Sequence, residues 1–149
     1  CLEPLMNRRS VLKALALGGS SLPLLTQAQA AEYAFKIAPL AAFKAEWDAV
    51  EFDWTDGPAL LLRVPKPAAP DKTLLEVSGV HLTAYLRVCT HEGCTVKLPN
   101  ADRRLECPCH SSVFNAIDGS PHSGIAGSSL QRLRLELREG DVYAVGFLA

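Results

Sequence analysis

Two short loops rich in cysteine and histidine constrain this chain more than any other feature. They span residues 89–94, with the sequence CTHEGC, and residues 107–112, with the sequence CPCHSS. Together they hold four of the five cysteines and two of the four histidines. Each loop brings one cysteine and one histidine close enough to bind one metal centre, and each keeps a further cysteine. Two thiolates suit one iron and two imidazoles a second, so the loops predict a [2Fe-2S] cluster of mixed ligation.

These two boxes resemble those of the Rieske iron-sulfur family, and with the flanking strands the resemblance covers most of the chain from about Ala49 onward. The resemblance implies a ligand for each position of the cluster. The implied ligands are Cys89 and Cys107 on the buried iron, and His91 and His110 on the outer iron. The same resemblance implies that electron uptake can be linked to proton uptake at the two histidines.

The resemblance also assigns roles to residues around the cluster. Cys94 and Cys109 fall on the family's disulfide positions and would tie the loops together. Ser112 matches a serine that hydrogen-bonds a bridging sulfide, which raises the reduction potential. Phe114 stands where many respiratory members have a tyrosine whose hydroxyl bonds a ligand sulfur, so we expect a lower potential than in those members. Gly93 completes the set of residues expected around the ligands.

Two positions depart from the pattern of quinol-oxidising members. Glu92 occupies the exposed tip, where those members usually carry an apolar residue that docks into a membrane subunit. A carboxylate resists burial unless it is paired, so Glu92 argues against this mode of docking. Ser111 replaces a residue that is usually glycine in the family.

The same side chains would suit two other kinds of site. A zinc-binding structural module could use two cysteines and two histidines, but it leaves the further cysteine in each loop unexplained. Zinc proteins are colourless, so an absorption spectrum separates the two metals. A pair of structural disulfides, such as Cys89 to Cys109, suits an exported protein but gives the histidines no role.

The segment 1–30 differs from the rest of the chain. It contains Arg8, Arg9 and Lys13, then the acid-free apolar stretch 14–25, then a small-x-small site at residues 28–30. This arrangement predicts a twin-arginine signal peptide or a retained N-terminal anchor. We therefore expect export to the periplasm or to the outer face of the cytoplasmic membrane, with membrane anchoring through this segment if it is kept.

The remaining residues, 31–149, predict one Rieske domain. Its expected fold is all-β: an antiparallel sandwich or barrel base domain with a small cluster-binding lobe inserted at about 89–127. Alternation and apolar runs predict strands at 50–54, 59–64, 74–77, 82–88, 113–115, 133–138 and 142–145. A short helical turn is expected within 40–47, a surface connection at the proline-rich stretch 65–70, and a loop at 118–124. His81 and His122 are expected at the surface or in hydrogen bonds, and Trp47, Phe52 and Trp54 in the core.

The function predicted is an electron-transfer subunit of a respiratory or oxidase complex, passing single electrons to a c-type cytochrome or a similar acceptor. The parent complex would be quinol-cytochrome c reductase of the cytochrome bc type, with quinol as donor, or a molybdoenzyme resembling arsenite oxidase, with a molybdopterin subunit as partner. A net charge of −1 gives no reason to expect a nucleic-acid partner. No substrate site of its own is evident in the sequence. The alternative is a ferredoxin component of a ring-hydroxylating oxygenase, although such proteins lack the disulfide cysteines and the export signal.

Overall fold

Ten antiparallel strands supply almost all regular structure in the described part of this computed structural model, residues 33–149. The strands are β1 (Phe35–Pro39), β2 (Ala49–Trp54), β3 (Gly57–Val64), β4 (Leu75–Val77), β5 (Val80–Leu86), β6 (Arg104–Glu106), β7 (Val113–Asn115), β8 (Pro121–Ser123), β9 (Leu133–Arg138) and β10 (Asp141–Phe147). A 3₁₀ turn at Leu40–Ala42 is the one helical element in this range. The all-β prediction is therefore confirmed.

Two sheets form the base domain. One has the order β2-β3-β5-β4 and the other the order β1-β10-β9. Leu61 and Ala84 of the first sheet share a buried cluster with Leu133 and Val142 of the second, so the two sheets pack face to face. This packing gives the predicted sandwich its first core.

Strand β3 is buried on both faces because its side chains alternate between two cores. Leu61 points into the core of the sandwich, whereas Leu60 and Leu62 belong to a second core that also holds Cys89 and Cys107. A strand covered on both sides is expected to be almost continuously apolar, as this one is. The second core joins the base domain to the loops that carry the candidate ligands.

The small third sheet has the order β6-β7-β8 and lies within the predicted lobe. A buried hydrogen bond attaches it to the base domain, because the hydroxyl of Tyr85 on β5 donates to the carbonyl oxygen of Ala116 at 2.8 Å. Burial raises the pKa of Tyr85 far above its ordinary value, so this hydroxyl keeps its proton and remains a donor.

Arg87 makes a second attachment between base and lobe. Its Nη2 donates to Oε2 of Glu51 on β2 at 2.6 Å, and its Nη1 donates to the carbonyl oxygen of Val96 at 2.9 Å. Arg87 comes directly after β5 and two residues before Cys89. The first metal loop therefore starts from a fixed point on the base domain.

Several details differ from the sequence predictions. The helical turn expected within 40–47 is limited to Leu40–Ala42. Two strands were not predicted: β1, which precedes this turn, and β6. The loop expected at 118–124 contains the short strand β8, which is formed by pairing with β7. β5 ends at Leu86 rather than running directly into the first loop. His81 is buried, with Nε2 3.6 Å from a carboxylate oxygen of Glu76.

The predicted signal or anchor segment, 1–30, lies outside the described residues. Within residues 33–149 we find no helix with the length and apolar character needed to cross a bilayer.

Candidate metal centre

The first metal loop, residues 89–94, is a tight turn closed by its own backbone. The N–H of Cys89 donates to the carbonyl oxygen of Cys94, and the N–H of Gly93 donates to that of Cys89, both at 2.8 Å. Gly93 has φ +76°, a left-handed conformation that glycine adopts without steric cost. The turn therefore brings Cys94 back beside Cys89 and leaves His91 at its outer end.

The second metal loop, residues 107–112, joins β6 to β7. The N–H of Cys107 donates to the carbonyl oxygen of Ser112 at 2.7 Å and closes the loop. Ser111, at the position where the family resemblance implies glycine, has φ +56°. The left-handed backbone that favours glycine is thus kept here with a serine.

A disulfide between Cys94 and Cys109 ties the two loops together, with the Cα atoms 6.5 Å apart. The two half-cystines are 15 positions apart in the sequence. Cross-linking over this interval restricts the unfolded chain and holds the loops side by side.

Cys89 and Cys107 remain free thiols and are buried, each with 3% of its surface exposed. Burial raises the pKa of the Cys89 thiol above its ordinary value. Hydrogen bonds from the backbone N–H groups of His91 and Glu92 act in the opposite direction and lower this pKa, but they do not outweigh burial. Burial acts upward at Cys107 as well, but the N–H groups of Cys109 and His110 and the Cys89 thiol lower the pKa of Cys107 below its ordinary value. Each sulfur thus faces backbone donors, which favour a charged thiolate.

His91 and His110 stand together at the exposed end of the loops. Their Nδ1 atoms are 3.2 Å apart, and the rings are nearly perpendicular, with centroids 4.8 Å apart. Two imidazole nitrogens this close together can bind the same metal ion. Oε2 of Glu92 lies 3.5 Å from Nδ1 of His110, so a carboxylate adjoins this pair.

Ser112 is fully buried beneath the segment 124–126. Its Oγ accepts a hydrogen bond from the N–H of Ala126 at 3.1 Å, which leaves its own hydroxyl hydrogen to be donated elsewhere. Gly124 lies so close that an added Cβ would be 2.6 Å from Cα of Ser112. Gly124 also has φ +93°, so both its backbone and its contact require glycine.

Phe114 lies on β7 and has none of its surface exposed. It packs in the same core as Cys89 and Cys107, together with Leu105, its partner on β6. The aromatic ring is therefore part of the apolar wall behind the two thiols.

The donors fit a mixed-ligand [2Fe-2S] cluster. Buried thiols and exposed imidazoles are segregated, with the sulfurs toward the core and the ring nitrogens toward solvent. This arrangement suits one iron with sulfur ligands inside and one iron with nitrogen ligands outside. A single zinc ion would have to bind the buried thiols and the exposed imidazoles at the same time. The fold and the paired loops thus define an iron-sulfur protein with cysteine and histidine ligation.

The chain belongs to the Rieske [2Fe-2S] family, because the model of the Rieske [2Fe-2S] domain matches residues 48–133, more than half of its length. Family membership implies a [2Fe-2S] cluster, which confirms the predicted cofactor. The Rieske iron-sulfur subunit of the cytochrome bc1 complex of Streptomyces lividans is 36% identical over 90 residues, covering 58% of this chain and 53% of the relative. The iron-sulfur subunit of the cytochrome b6-f complex of Gloeobacter violaceus is 40% identical over 96 residues, covering 55% of this chain and 51% of the relative.

This chain spans about half the length of these two relatives. Among solved structures, the soluble domain of Rieske protein II from Sulfolobus acidocaldarius superposes with a TM-score of 0.59 at 24% identity, covering 82% of this chain and 81% of that one. This likeness shows a shared fold.

The structure brings most of the predicted site residues into one region. The two thiols, the two imidazoles, the disulfide and Ser112 all lie on the paired loops or directly behind them. The family resemblance implies that the loop 121–129 covers the cluster from the other side. The individual contacts of this loop were not predicted: Gly124 against Ser112, and the Thr90 hydroxyl donating to the carbonyl oxygen of Ser128 at 2.7 Å.

Proposed function

We propose that this protein is an electron-transfer subunit whose [2Fe-2S] cluster is held by Cys89, Cys107, His91 and His110. The supporting observation is the segregation of two buried free thiols from two exposed imidazoles whose Nδ1 atoms are 3.2 Å apart. The cluster supplies reversible one-electron chemistry at a higher potential than an all-thiolate cluster. The exposed histidines place the outer edge of the site where a redox partner can approach it.

The ligand assignment is tested with purified protein by absorption and electron paramagnetic resonance spectra of the oxidised and reduced forms. We expect Cys107→Ser and His110→Gln to lose the spectrum of a mixed-ligand cluster. His122→Gln is the matched control, since His122 is exposed on β8 and is not part of the loops. A full cluster spectrum in His110→Gln would contradict the assignment.

For the parent complex, we propose a membrane-associated respiratory chain of the cytochrome bc type as the first candidate. Both of the relatives above are named as subunits of cytochrome bc1 or b6-f complexes. In this setting the donor would be a quinol and the acceptor a c-type cytochrome. The family and the likeness to these relatives support this candidate, whereas the site itself contains one feature against it.

That feature favours a second candidate, an arsenite oxidase-like molybdoenzyme in which the protein relays electrons from a molybdopterin subunit. Glu92 leaves 59% of its side chain exposed at the histidine tip. A buried quinol site would have to desolvate this carboxylate, at a cost of several kcal/mol unless a cation pairs with it. Phe114, which stands in place of the respiratory tyrosine, supports the same candidate.

Metal and haem analysis of the native complex separates the two candidates. The complex would be purified through an affinity tag on this subunit and assayed for b-type and c-type haem and for molybdenum. Haem with quinol-dependent reduction of the cluster supports the bc setting. Stoichiometric molybdenum with no b-type haem supports the molybdoenzyme.

We also propose export by the twin-arginine pathway, which places the protein in the periplasm or on the outer face of the cytoplasmic membrane. The support is the sequence of segment 1–30 and the suitability of this pathway for a protein that has already received its cluster. Replacing both Arg8 and Arg9 by lysine should retain the protein in the cytoplasm, as measured by cell fractionation. Continued export of that variant would remove this part of the proposal.

A further inference from the structure

The surface around the candidate ligands is almost free of formal charge. It is formed by the two metal loops, 89–94 and 107–112, and by the segment 121–129, which we call the cover loop. Glu92 is the one aspartate, glutamate, lysine or arginine in these three segments, although such residues make up 21% of the chain. The centres of protein interfaces show the same depletion of charged residues.

The three segments form one continuous surface, because the cover loop lies against both metal loops. The N–H of Ala126 donates to Oγ of Ser112 at 3.1 Å, which joins the cover loop to the second metal loop. The hydroxyl of Thr90 donates to the carbonyl oxygen of Ser128 at 2.7 Å, which joins the cover loop to the first. The disulfide ties the two metal loops to each other. We call this surface the tip face, and most of its residues are exposed.

Ile125 supplies an apolar contact on the tip face. It is the most exposed of the large apolar side chains in the described part of the chain, with 60% of its surface accessible. Its neighbours in the chain hold it beside the second metal loop, since a Cβ added to Gly124 would be 3.1 Å from the carbonyl oxygen of Ser111, and Ala126 bonds Ser112. A protein that covered the tip face would bury this side chain.

Glu92 is the single charge that such a protein would meet. Its carboxylate lies 3.5 Å from Nδ1 of His110, and within residues 33–149 no lysine or arginine forms an ion pair with it. Its side chain is 59% exposed, so water now solvates the charge. A partner that removes this water destabilises the carboxylate unless it brings a compensating cation.

We propose that Glu92 selects the redox partner of this protein: the partner places a lysine or arginine against this carboxylate, within a contact that is otherwise uncharged and includes Ile125. This inference rests on the proposed function and names a partner class for it. A protein that presents a carboxylate or an apolar group at this point would leave Glu92 desolvated without compensation and would be rejected. Glu92 is therefore a specificity-determining residue.

The first test asks whether a partner covers Glu92. A water-soluble carbodiimide and glycine ethyl ester convert exposed carboxylates to amides; one carboxylate oxygen leaves in the urea formed from the carbodiimide, and the amine nitrogen replaces it. The isolated holoprotein and the native complex, purified through the tagged subunit, are labelled identically and compared by peptide mass spectrometry. We expect Glu92 to be labelled in the holoprotein and to lose this labelling in the complex. Glu139, in the exposed turn between β9 and β10, should be labelled in both.

The second test asks whether the tip face favours a cation. Reduced holoprotein is oxidised in a stopped-flow instrument by tris(1,10-phenanthroline)cobalt(III), a cation with apolar ligands, or by the anion hexacyanoferrate(III). One electron leaves the cluster and reduces Co(III) to Co(II) or Fe(III) to Fe(II), and no proton or bond is transferred. A changed cluster potential alters both rates in the same direction, so the ratio of the cobalt rate to the cyanide-complex rate reports mainly the charge at the point of approach.

The informative variants are Glu92→Gln, which removes the charge, and Glu92→Asp, which keeps it. At low ionic strength we expect Glu92→Gln to lower the rate ratio roughly tenfold and Glu92→Asp to restore most of it. Glu139→Gln is the matched control and should leave the ratio close to that of the wild type. Ile125→Ser should slow oxidation by the cobalt complex more than Ile117→Ser, which changes an exposed isoleucine outside the tip face.

Equal labelling of Glu92 in the isolated holoprotein and in the native complex would overturn the inference. Equal changes of the rate ratio in Glu92→Gln and Glu139→Gln would overturn it as well, and equal effects of Ile125→Ser and Ile117→Ser would overturn its apolar part. Wild-type protein that holds no mixed-ligand cluster would instead overturn the proposed function. Carboxylate labelling does not depend on the cluster, so the two failures are distinguishable.

Discussion

Oε2 of Glu92 lies 3.5 Å from Nδ1 of His110, which puts a carboxylate beside a candidate ligand of the outer iron. Reduction adds one negative charge to the centre, and a neighbouring carboxylate disfavours that charge. We therefore predict that Glu92→Gln raises the reduction potential, as measured by spectroelectrochemical titration. The increase should shrink with added salt, because the Glu92 side chain is 59% exposed.

The control for this prediction is Glu139→Gln, which removes the same charge from the exposed turn between β9 and β10. Its potential should stay close to that of the wild type. Equal shifts in the two variants would mean that only the net charge of the protein matters.

The contact between Gly124 and Ser112 predicts an unusually damaging glycine substitution. Gly124→Ala should destabilise the protein by more than Gly140→Ala, because both positions have positive φ but only Gly124 meets a backbone atom at 2.6 Å. The cost of placing alanine in a left-handed conformation is about 1–2 kcal/mol of stability at each position. Thermal or denaturant unfolding of the two holoprotein variants measures their losses of stability. Equal losses would show that the loop moves aside freely.

Ser112 should influence the potential through its hydroxyl hydrogen, for which residues 33–149 supply no acceptor. Ser112→Ala removes a donor that would stabilise the more negative reduced state, so the potential should fall. It also leaves the N–H of Ala126 without an acceptor, at a cost of about 1–3 kcal/mol. A redox titration measures the change in potential of Ser112→Ala, and an unfolding experiment measures its loss of stability. An unchanged potential with reduced stability would show that the hydroxyl does not act on the cluster.

The parts of the fold that were predicted are those in which the pattern is local. In β3 the alternation of Leu60, Leu61 and Leu62 between two cores is visible as a continuous apolar stretch, and the hairpin of β9 and β10 follows from plain alternation. β1, β6 and β8 were missed because each is a short strand whose sequence shows no clear alternation and which forms by pairing with a partner strand. β1 pairs with β10, far along the chain, and β8 is a three-residue strand that bonds β7 across a register shift.

The candidate site divides in the same way. The ligand boxes are short motifs, so the sequence contains them completely. The residues that anchor and cover the boxes come from other parts of the chain. Glu51 on β2 accepts a hydrogen bond from Arg87, and the carbonyl oxygen of Ser128 accepts one from the Thr90 hydroxyl. No spacing rule connects Glu51 to Arg87, since the pair arises from the packing of β2 and the end of β5. The chemistry was therefore readable from the sequence, whereas its support required the fold.

The disulfide between Cys94 and Cys109 should stabilise the site without supplying a ligand. A double Cys94→Ser and Cys109→Ser variant should lose about 3 kcal/mol of stability, given a separation of 15 positions. It should still assemble a cluster with the mixed-ligand spectrum, but lose it faster on warming. A variant that folds stably yet has an all-thiolate or absent cluster spectrum would mean that these cysteines do more than cross-link the loops.

Phe114 should affect the reduction potential, because its ring lies in the core shared with Cys89 and Cys107. Phe114→Tyr adds a hydroxyl at the position where tyrosine-bearing members of the family bond a ligand sulfur. A donor to that sulfur stabilises the reduced state, so the potential of the variant should exceed that of the wild type. Phe52→Tyr, half-buried on β2, adds the same group to the base domain and should leave the potential unchanged. A wild-type potential above that of Phe114→Tyr, at full cluster content, would contradict this assignment of the low potential to Phe114.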